Sequence, residues 1–192
     1  MKKLLSVLLV CLLVTGCSSS KSNSTSTSSN TCVITVKNYG KITVKLYPKQ
    51  APITVKNFKK LVNEKFYDGL TFHRIIKGFM IQGGDPNGDG TGGSSKTIKG
   101  EFSANGIKTN TISHERGVIS MARSQDYNSA SSQFFIMHQT NTQLDGQYAA
   151  FGKVTSGMYV VDKIANNVQV EDSNGTVASE NQPVITSIRM KK

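Results

Sequence analysis

Short segments of alternating apolar and polar residues dominate the chain from Cys32 onward, and they constrain its fold more than any other feature. Residues 33–37 and 42–46 alternate around Asn38-Tyr39-Gly40, which is the pattern of a β-hairpin. Further β-rich pieces follow, separated by glycine-containing turns. They occupy residues 70–76, 79–82, 117–121, 133–137, 149–154 and 183–190.

Two stretches have helical periodicity instead. Pro52 is a natural first-turn residue, and apolar residues recur after it at helical spacing until about residue 66. A second helix is predicted over residues 157–166, where Met158, Val161 and Ile164 share one face. Many short strands with only two helices predict a mostly β fold, closed or sandwich-like, and not an alternating parallel α/β fold.

The amino terminus has the pattern of a bacterial lipoprotein signal. Lys2 and Lys3 precede an apolar run over residues 4–14, which is too short to span a bilayer as a helix. The run ends in Leu-Val-Thr-Gly-Cys at Cys17, which resembles a lipobox. We therefore expect residues 1–16 to be cleaved and Cys17 to carry lipid, which places the protein at the extracytoplasmic face of the cell membrane.

Residues 17–31 are predicted to form a flexible linker after the lipidated cysteine. Eleven of the fourteen residues from Ser18 to Thr31 are Ser or Thr, and this local bias explains much of the low apolar content of 37%. Such a linker reaches roughly 20 Å on average and about 45–50 Å when extended. The globular domain is then expected over residues 32–192.

The three cysteines predict no internal disulfide in the mature protein. Cys11 leaves with the signal, Cys17 is reserved for lipid, and Cys32 remains alone. Because Cys32 lies in an alternating apolar segment, we expect a buried and unreactive thiol.

The chain is basic, with a formal net charge of +11, or +9 once Lys2 and Lys3 are removed. Eight lysines lie between Lys37 and Lys65, where Glu64 is the one acidic residue. No nucleic-acid-binding motif accompanies this charge, so we expect no nucleic-acid partner. A solvated basic face near anionic lipid or cell-wall polymer is favoured.

Several candidate motifs carry no catalytic or metal signature. The glycine-rich segment over residues 83–93 lacks the lysine of a phosphate-binding loop and the final glutamate of a calcium loop, so we interpret it as an irregular turn. The three histidines have no metal-ligand spacing, and no nucleophile signature surrounds Ser120, Ser132 or Cys32. We therefore predict no metal site.

Five sequence strings in order resemble the cyclophilin signature. They are Phe72-His73-Arg74-Ile75-Ile76 continuing through Gly78 to Asp85, Gly90 to Gly93, Ile119 to Ala122, Ser132 to Ile136, and Leu144-Asp145-Gly146 with Phe151 to Val154. The resemblance covers about residues 32–190. It identifies the chain as a member of the cyclophilin-type peptidyl-prolyl isomerases.

That resemblance implies an eight-stranded closed antiparallel β-barrel capped by two α-helices, with a groove on its outer surface. It implies isomerisation of X–Pro bonds without a cofactor, by a monomer. Arg74 takes the catalytic position, as the donor that meets the prolyl nitrogen. The matching substrate-binding positions are Phe79, Met80, Gln82, Ala122, Arg123, Gln133, Phe135, Leu144 and Tyr148.

Two positions depart from the common family pattern. Gln143 stands where many members have a groove tryptophan, and Tyr148 stands where many have a histidine. The missing tryptophan argues against tight cyclosporin binding, whereas the tyrosine still offers a ring and a hydroxyl.

The leading hypothesis is a lipid-anchored isomerase that acts on proline-containing segments of exported proteins outside the membrane. One alternative is a peptide-binding or holdase module with little turnover. The other is a basic surface adhesin on the same scaffold, which rests on the positive charge alone.

Overall fold

The computed structural model describes residues 29–192 of the chain. The predicted signal peptide, Cys17 and most of the predicted linker lie outside these described residues. Eight strands and two helices follow one another. Their bounds are β1 Thr31–Val36, β2 Gly40–Leu46, α1 Pro52–Asn63, β3 Thr71–Ile76, β4 Met80–Asp85, β5 Val118–Met121, β6 Phe134–Met137, β7 Ala150–Ser156, α2 Met158–Asn167 and β8 Ile185–Met190.

The eight strands form one strongly curled antiparallel sheet in the order β3-β4-β6-β5-β7-β2-β1-β8. The prediction of a mostly β fold with eight antiparallel strands and two helices is confirmed. The prediction of a closed barrel is wrong, because β3 and β8 are the two edges of an open sheet.

The irregular chain before β8 explains why the sheet stays open. This segment runs along the free edge of β3, where the Ile75 amide donates to Gly175 O at 2.8 Å and the Val177 amide donates to His73 O at 3.0 Å. Pro183 accepts from the Phe72 amide at 3.0 Å but has no amide hydrogen to continue a ladder. Strand β3 therefore meets the chain before β8 through isolated bridges, at Thr71 with Val184 and at Arg74 with Thr176, and not through a paired strand.

The main core lies inside the curl of the sheet, under both helices. Phe58 from α1 packs on three aromatic rings of the core, with its centroid 5.3 Å from Tyr67, 5.9 Å from Phe134 and 5.1 Å from Phe151. From α2, Val161 and Ile164 are fully buried in the same core. In the described part of the chain, every strand, both α-helices and this core fall within residues 31–190, so a chain that begins at Ser18 retains all of them.

Helix α1 is capped by a carboxylate from a distant loop. Its first residues have no side-chain cap of their own. Buried Glu101 instead accepts hydrogen bonds from the Ile53 amide at 3.0 Å, the Thr54 amide at 2.7 Å and the Thr54 hydroxyl at 2.7 Å. A carboxylate at this end also complements the helix dipole. The helix ends at Asn63, a little earlier than predicted, and Lys65 adopts a left-handed φ of 58° just beyond it.

Cys32 is fully buried in the core, as predicted. Burial raises the pKa of its thiol to about 12, so the reactive thiolate is suppressed in the folded protein. Among residues 29–192, the helices are all too short or too polar to cross a bilayer.

Candidate active site

A row of side chains crosses the outer face of the sheet on neighbouring strands. Arg74 of β3 pairs with Gln82 of β4, Gln82 pairs with Phe135 of β6, and Phe135 pairs with Ser120 of β5. Directly opposed residues project from the same face of a sheet, so the register brings these side chains together. The adjacent inner row, which includes Ile81 and Ile136, belongs to the main core.

A second and smaller apolar cluster lies on this outer face. Met80 and Phe135 are buried in it, and Phe79, Leu144 and Tyr148 pack around them with partial exposure. Together with Arg74 these residues line a hollow of about 410 Å³. The hollow is apolar at its base and polar at its rim, which suits a small hydrophobic ring attached to a peptide backbone.

Arg74 is held at the rim by two hydrogen bonds. Its Nε donates to Asn174 O at 2.7 Å, and its Nη1 donates to Gln82 Oε1 at 3.1 Å. These bonds use two of the five guanidinium hydrogens, so the others remain for a ligand in the hollow. Partial burial lowers the pKa of Arg74, although an arginine stays charged in proteins.

The same hydrogen-bonded series continues through two glutamines to the glycine-rich turn. Gln82 Nε2 donates to Gln133 Oε1 at 2.9 Å. Gln133 Nε2 then donates to Gly90 O at 3.0 Å and Gly92 O at 2.7 Å. We call Arg74, Gln82, Gln133 and these two carbonyls the glutamine relay. Every bond in it points in one donor direction, away from Arg74, so the orientation of each amide is fixed by its neighbours.

The glycine-rich turn that ends the relay is built around a buried carboxylate. Asp85 accepts from the Asn87 amide at 2.9 Å and from the Gly90 amide at 2.6 Å. Gly90 has a φ of +91°, and a Cβ on Gly92 would lie 2.1 Å from Asp85 Oδ1. The segment is therefore the irregular turn that the sequence predicts. Within residues 29–192, no three His, Cys, Asp or Glu side chains form a metal-binding group.

Arg123 supports the opposite wall of the hollow. Its guanidinium carbon lies 4.6 Å from the ring centroid of Tyr148 and 4.8 Å from that of Tyr127. Its Nε and Nη2 both donate to Gln147 O at 3.0 Å. Tyr148 in turn meets Phe135 edge to face, with centroids 5.8 Å apart. Arg123 thus links the loop after β5 to Tyr148, the residue that stands where many family members have a histidine.

A polar series with a buried histidine and serine and a partly exposed aspartate lies behind Phe135. Asp145 Oδ1 lies 2.9 Å from His114 Nδ1, and His114 Nε2 lies 3.1 Å from Ser120 Oγ. The order Ser-His-Asp resembles that of a hydrolase, but Ser120 is fully buried and out of reach of a substrate. Burial lowers the pKa of His114, although the Asp145 carboxylate opposes this shift. The His114 ring stacks on Phe135 at 6.0 Å, so the series sets the position of the hollow's floor.

The structure brings the predicted site residues together. Every predicted residue of the catalytic and substrate-binding set lines the hollow except Gln133, which lines the polar extension beside it. Five residues that the sequence did not assign to the site also line the hollow, namely His73, Gly88, Asp89, Gly90 and Thr176. His73 lies in the first cyclophilin-like string and Asp89 in the glycine-rich segment, whereas Thr176 lies in no recognisable motif. Both His73 ring nitrogens are buried without a hydrogen-bond partner in the described chain, and burial lowers its pKa.

An apolar hollow with a fixed cationic donor at its rim, on the outer face of a curled antiparallel sheet, defines a protein that can bind a small hydrophobic group beside a hydrogen-bond acceptor. The comparisons with known proteins agree. The family model described as cyclophilin type peptidyl-prolyl cis-trans isomerase/CLD matches residues 31–190. The chain belongs to this family, and its enzymatic activity is peptidyl-prolyl cis-trans isomerisation.

Named relatives include peptidyl-prolyl cis-trans isomerase B of Bacillus subtilis, which is 49% identical over 140 residues, covering 73% of this chain and 88% of the relative. A peptidyl-prolyl cis-trans isomerase of Acinetobacter baylyi is 44% identical over 145 residues, covering 71% of this chain and 73% of the relative. Among solved structures, a cyclophilin type isomerase of Cryptosporidium parvum, crystallised in the presence of the dipeptide ala-pro, has a TM-score of 0.73 at 32% identity. That match covers 84% of this chain and 99% of the other.

Proposed function

We propose that this isomerase acts on X–Pro bonds of exported proteins at the outer face of the bacterial membrane, where lipid on Cys17 holds it. The charged start, the short apolar run and the position of Cys17 support export and anchoring. The Ser/Thr-rich linker supports a domain that stands near the membrane on a flexible segment.

The proposed chemistry follows from the electronic structure of the peptide bond. Rotation about an X–Pro bond crosses a barrier of about 18–20 kcal/mol, because resonance gives the C–N bond partial double-bond character. In the twisted transition state the lone pair localises on the prolyl nitrogen. A donor aimed at that nitrogen stabilises the transition state more than either planar state. Arg74 is the donor proposed for this role.

The hollow is proposed to seat the proline ring while the rest of the peptide rotates. Met80, Phe135 and Leu144 offer an apolar surface of suitable size beside the Arg74 guanidinium. The Cryptosporidium relative, crystallised in the presence of ala-pro, supports a proline-containing ligand for this chain also. Gln82 is close enough to both Arg74 and the hollow to hold the peptide backbone.

The observation that carries this mechanism is the fixed position of Arg74 between Asn174 O and Gln82 Oε1 at the edge of an apolar hollow. A guanidinium held on two sides loses little further entropy when it meets a transition state. Lysine at this position would lack the planar arrangement of donors that makes both bonds.

The test compares Arg74→Ala with wild type in an exchange-NMR or coupled isomerisation assay on a short proline peptide, using the chain from Ser18 onward. Loss of one transition-state donor is expected to lower kcat/KM by about 100- to 1000-fold. Arg189→Ala is the matched control, since Arg189 pairs with Asp68 on the surface and lies outside the hollow. Wild-type kcat/KM in folded Arg74→Ala would refute the mechanism.

The anchoring proposal is tested separately. We expect Cys17→Ala to abolish lipid labelling and to release the protein from the membrane fraction in a high-salt wash, which screens electrostatic contacts with lipid, while the isomerase activity of the released protein is unchanged. A Cys17→Ala protein that still sediments with membranes and still incorporates labelled lipid would contradict the anchor.

A further inference from the structure

The positive charge of the domain is concentrated in its first part. The described residues before Glu64 contain no acidic residue and seven lysines, namely Lys37, Lys41, Lys45, Lys49, Lys56, Lys59 and Lys60. The rest of the chain, residues 64–192, is nearly balanced, with thirteen basic and twelve acidic residues. Such an asymmetry creates a local positive potential on whichever surface those lysines share.

Several of these lysines surround the point where the chain enters the domain. Lys59 Nζ donates to Asn30 Oδ1 at 2.7 Å, and Thr31 pairs with Lys45 across β1 and β2. The Lys191 amide donates to Thr31 O at 2.7 Å, which brings a further lysine beside the same residue.

Two more lysines adjoin this point on helix α1. Lys56 and Lys60 are exposed, and they line one shallow hollow together with Lys59. Glu64 lies 3.7 Å from Lys60 and is the one acidic residue that lines this hollow. We call Lys45, Lys56, Lys59, Lys60 and Lys191 the junction face.

The junction face and the catalytic groove occupy different halves of the sheet. Strands β3, β4, β6 and β5 form one half and carry the groove, whereas β2, β1 and β8 form the other half beside the junction face. A flat partner that covers the junction face therefore leaves the groove accessible to a peptide.

We infer that the junction face docks on an anionic lipid bilayer, the surface to which the chain is proposed to be anchored. This inference rests on the proposed anchor at Cys17, because the linker places the junction face at the membrane end of the domain. A short linker also keeps the effective concentration of headgroups high. Each lysine near an anionic surface strengthens binding by about fivefold. A few of these lysines are therefore enough to hold the tethered domain in one orientation on the bilayer.

The test measures partition of the unlipidated chain from Ser18 onward onto vesicles at physiological salt. One vesicle type is equimolar phosphatidylglycerol and phosphatidylcholine, and the other is phosphatidylcholine alone. We expect binding to the anionic vesicles only.

Two double variants with equal charge change localise the effect. Lys45→Glu with Lys56→Glu alters the junction face, whereas Lys37→Glu with Lys41→Glu alters the turn end of the β1–β2 hairpin, about 13 Å or more from Lys45 along the strand. All four lysines are exposed. The junction-face variant is expected to bind the anionic vesicles at least about 25-fold more weakly, and the hairpin variant less than about fivefold more weakly. Unchanged kcat/KM on a short peptide shows that each variant is folded.

Three outcomes would overturn the inference. They are equal loss in the two variants, equal binding to both vesicle types, and binding to soluble polyphosphate as tight as to vesicles with the same lysine dependence. Fractionation of the lipidated full chain separates this inference from the anchor. If that chain sediments with membranes but the chain from Ser18 does not bind anionic vesicles, the docking inference fails while the anchor stands.

Discussion

Gln133→Glu is the sharpest perturbation of the glutamine relay, because it changes one amide group to a carboxylate of nearly the same shape. The oxygen that accepts from Gln82 Nε2 at 2.9 Å is retained. The nitrogen that donates to Gly90 O and Gly92 O is replaced by an acceptor, at distances where the native bonds measure 3.0 Å and 2.7 Å. An ionised Glu at this position therefore faces two carbonyl oxygens that repel it.

The expected size of the effect follows from those two lost bonds. Each neutral hydrogen bond contributes about 0.5–1.5 kcal/mol, so the relay loses about 1–3 kcal/mol before any repulsion is added. If this energy serves to hold Gln82 and Arg74 in place, kcat/KM falls by about 5- to 150-fold at neutral pH. The neighbouring carbonyls also disfavour the anion, so the pKa of the introduced carboxyl is raised.

That raised pKa gives the prediction a distinctive pH dependence. A protonated Glu carries one O–H donor and can restore one of the two bonds. The activity of Gln133→Glu relative to wild type is therefore expected to rise as pH falls through the raised pKa, whereas Gln133→Leu, which has no donor at any pH, shows no such recovery.

The assay is kcat/KM on a short proline peptide, measured for wild type and both variants across a pH series. Gln125→Glu is the control for charge, because this exposed residue lies on the loop after β5 and outside the hollow. Equal pH profiles for Gln133→Glu and Gln133→Leu would refute the reasoning about donor direction. Wild-type activity in folded Gln133→Leu would show that the relay does not position Arg74.

Three further predictions concern stability and reactivity. Glu101→Ala leaves three α1 donors without their acceptor, so the free energy of unfolding in urea should drop by about 2–4 kcal/mol, and a loss below about 0.5 kcal/mol would contradict the capping role. In the chain from Ser18 onward, Cys32 should resist iodoacetamide until the protein unfolds, as followed by mass spectrometry, because burial raises its pKa to about 12; rapid native labelling would contradict this. Burial lowers the pKa of all three histidines, so the unfolded chain binds more protons below the ordinary value of 6.5, and the free energy of unfolding should fall from about pH 7.5 to about pH 5.5; an unchanged or rising value would contradict it.

The sequence predicts the strands and helices well because each is marked by local chemistry. Alternation around Asn38 and Gly40 marks the first hairpin, and Pro52 marks the start of α1. Closure of the sheet has no such mark. Closure depends on how the chain before β8 meets β3. There the carbonyls of Pro183 and Gly175 each accept one hydrogen bond from a residue of β3 that is distant in sequence. The capping of α1 by Glu101 is unpredictable for the same reason, since the two are far apart in sequence.

The site residues are predictable mainly through the family motifs. Composition and periodicity assign Met80 and Phe135 to a hydrophobic core. Both residues are indeed buried, but they lie in the smaller cluster on the outer face of the sheet and not in the main core. Nothing in the local sequence indicates that Arg74 Nε meets Asn174 O or that Arg123 stacks on Tyr148. Such contacts depend on the three-dimensional path of loops, which is not visible in short sequence patterns.

Side chains alternate along the strands between the main core, which stabilises the fold, and the groove, which binds the substrate. On β4 and β6, Ile81 and Ile136 point into the main core, while their neighbours Gln82 and Phe135 point into the groove. Truncating a core isoleucine removes buried volume and typically costs about 2–5 kcal/mol, whereas changing a half-buried groove glutamine costs about 0.5–1.5 kcal/mol for each hydrogen bond that is lost. Groove-facing residues of a strand can therefore be substituted while its core-facing residues keep their packing. The tyrosine at position 148 fits this pattern, since Arg123 and Phe135 hold it through groove-side contacts.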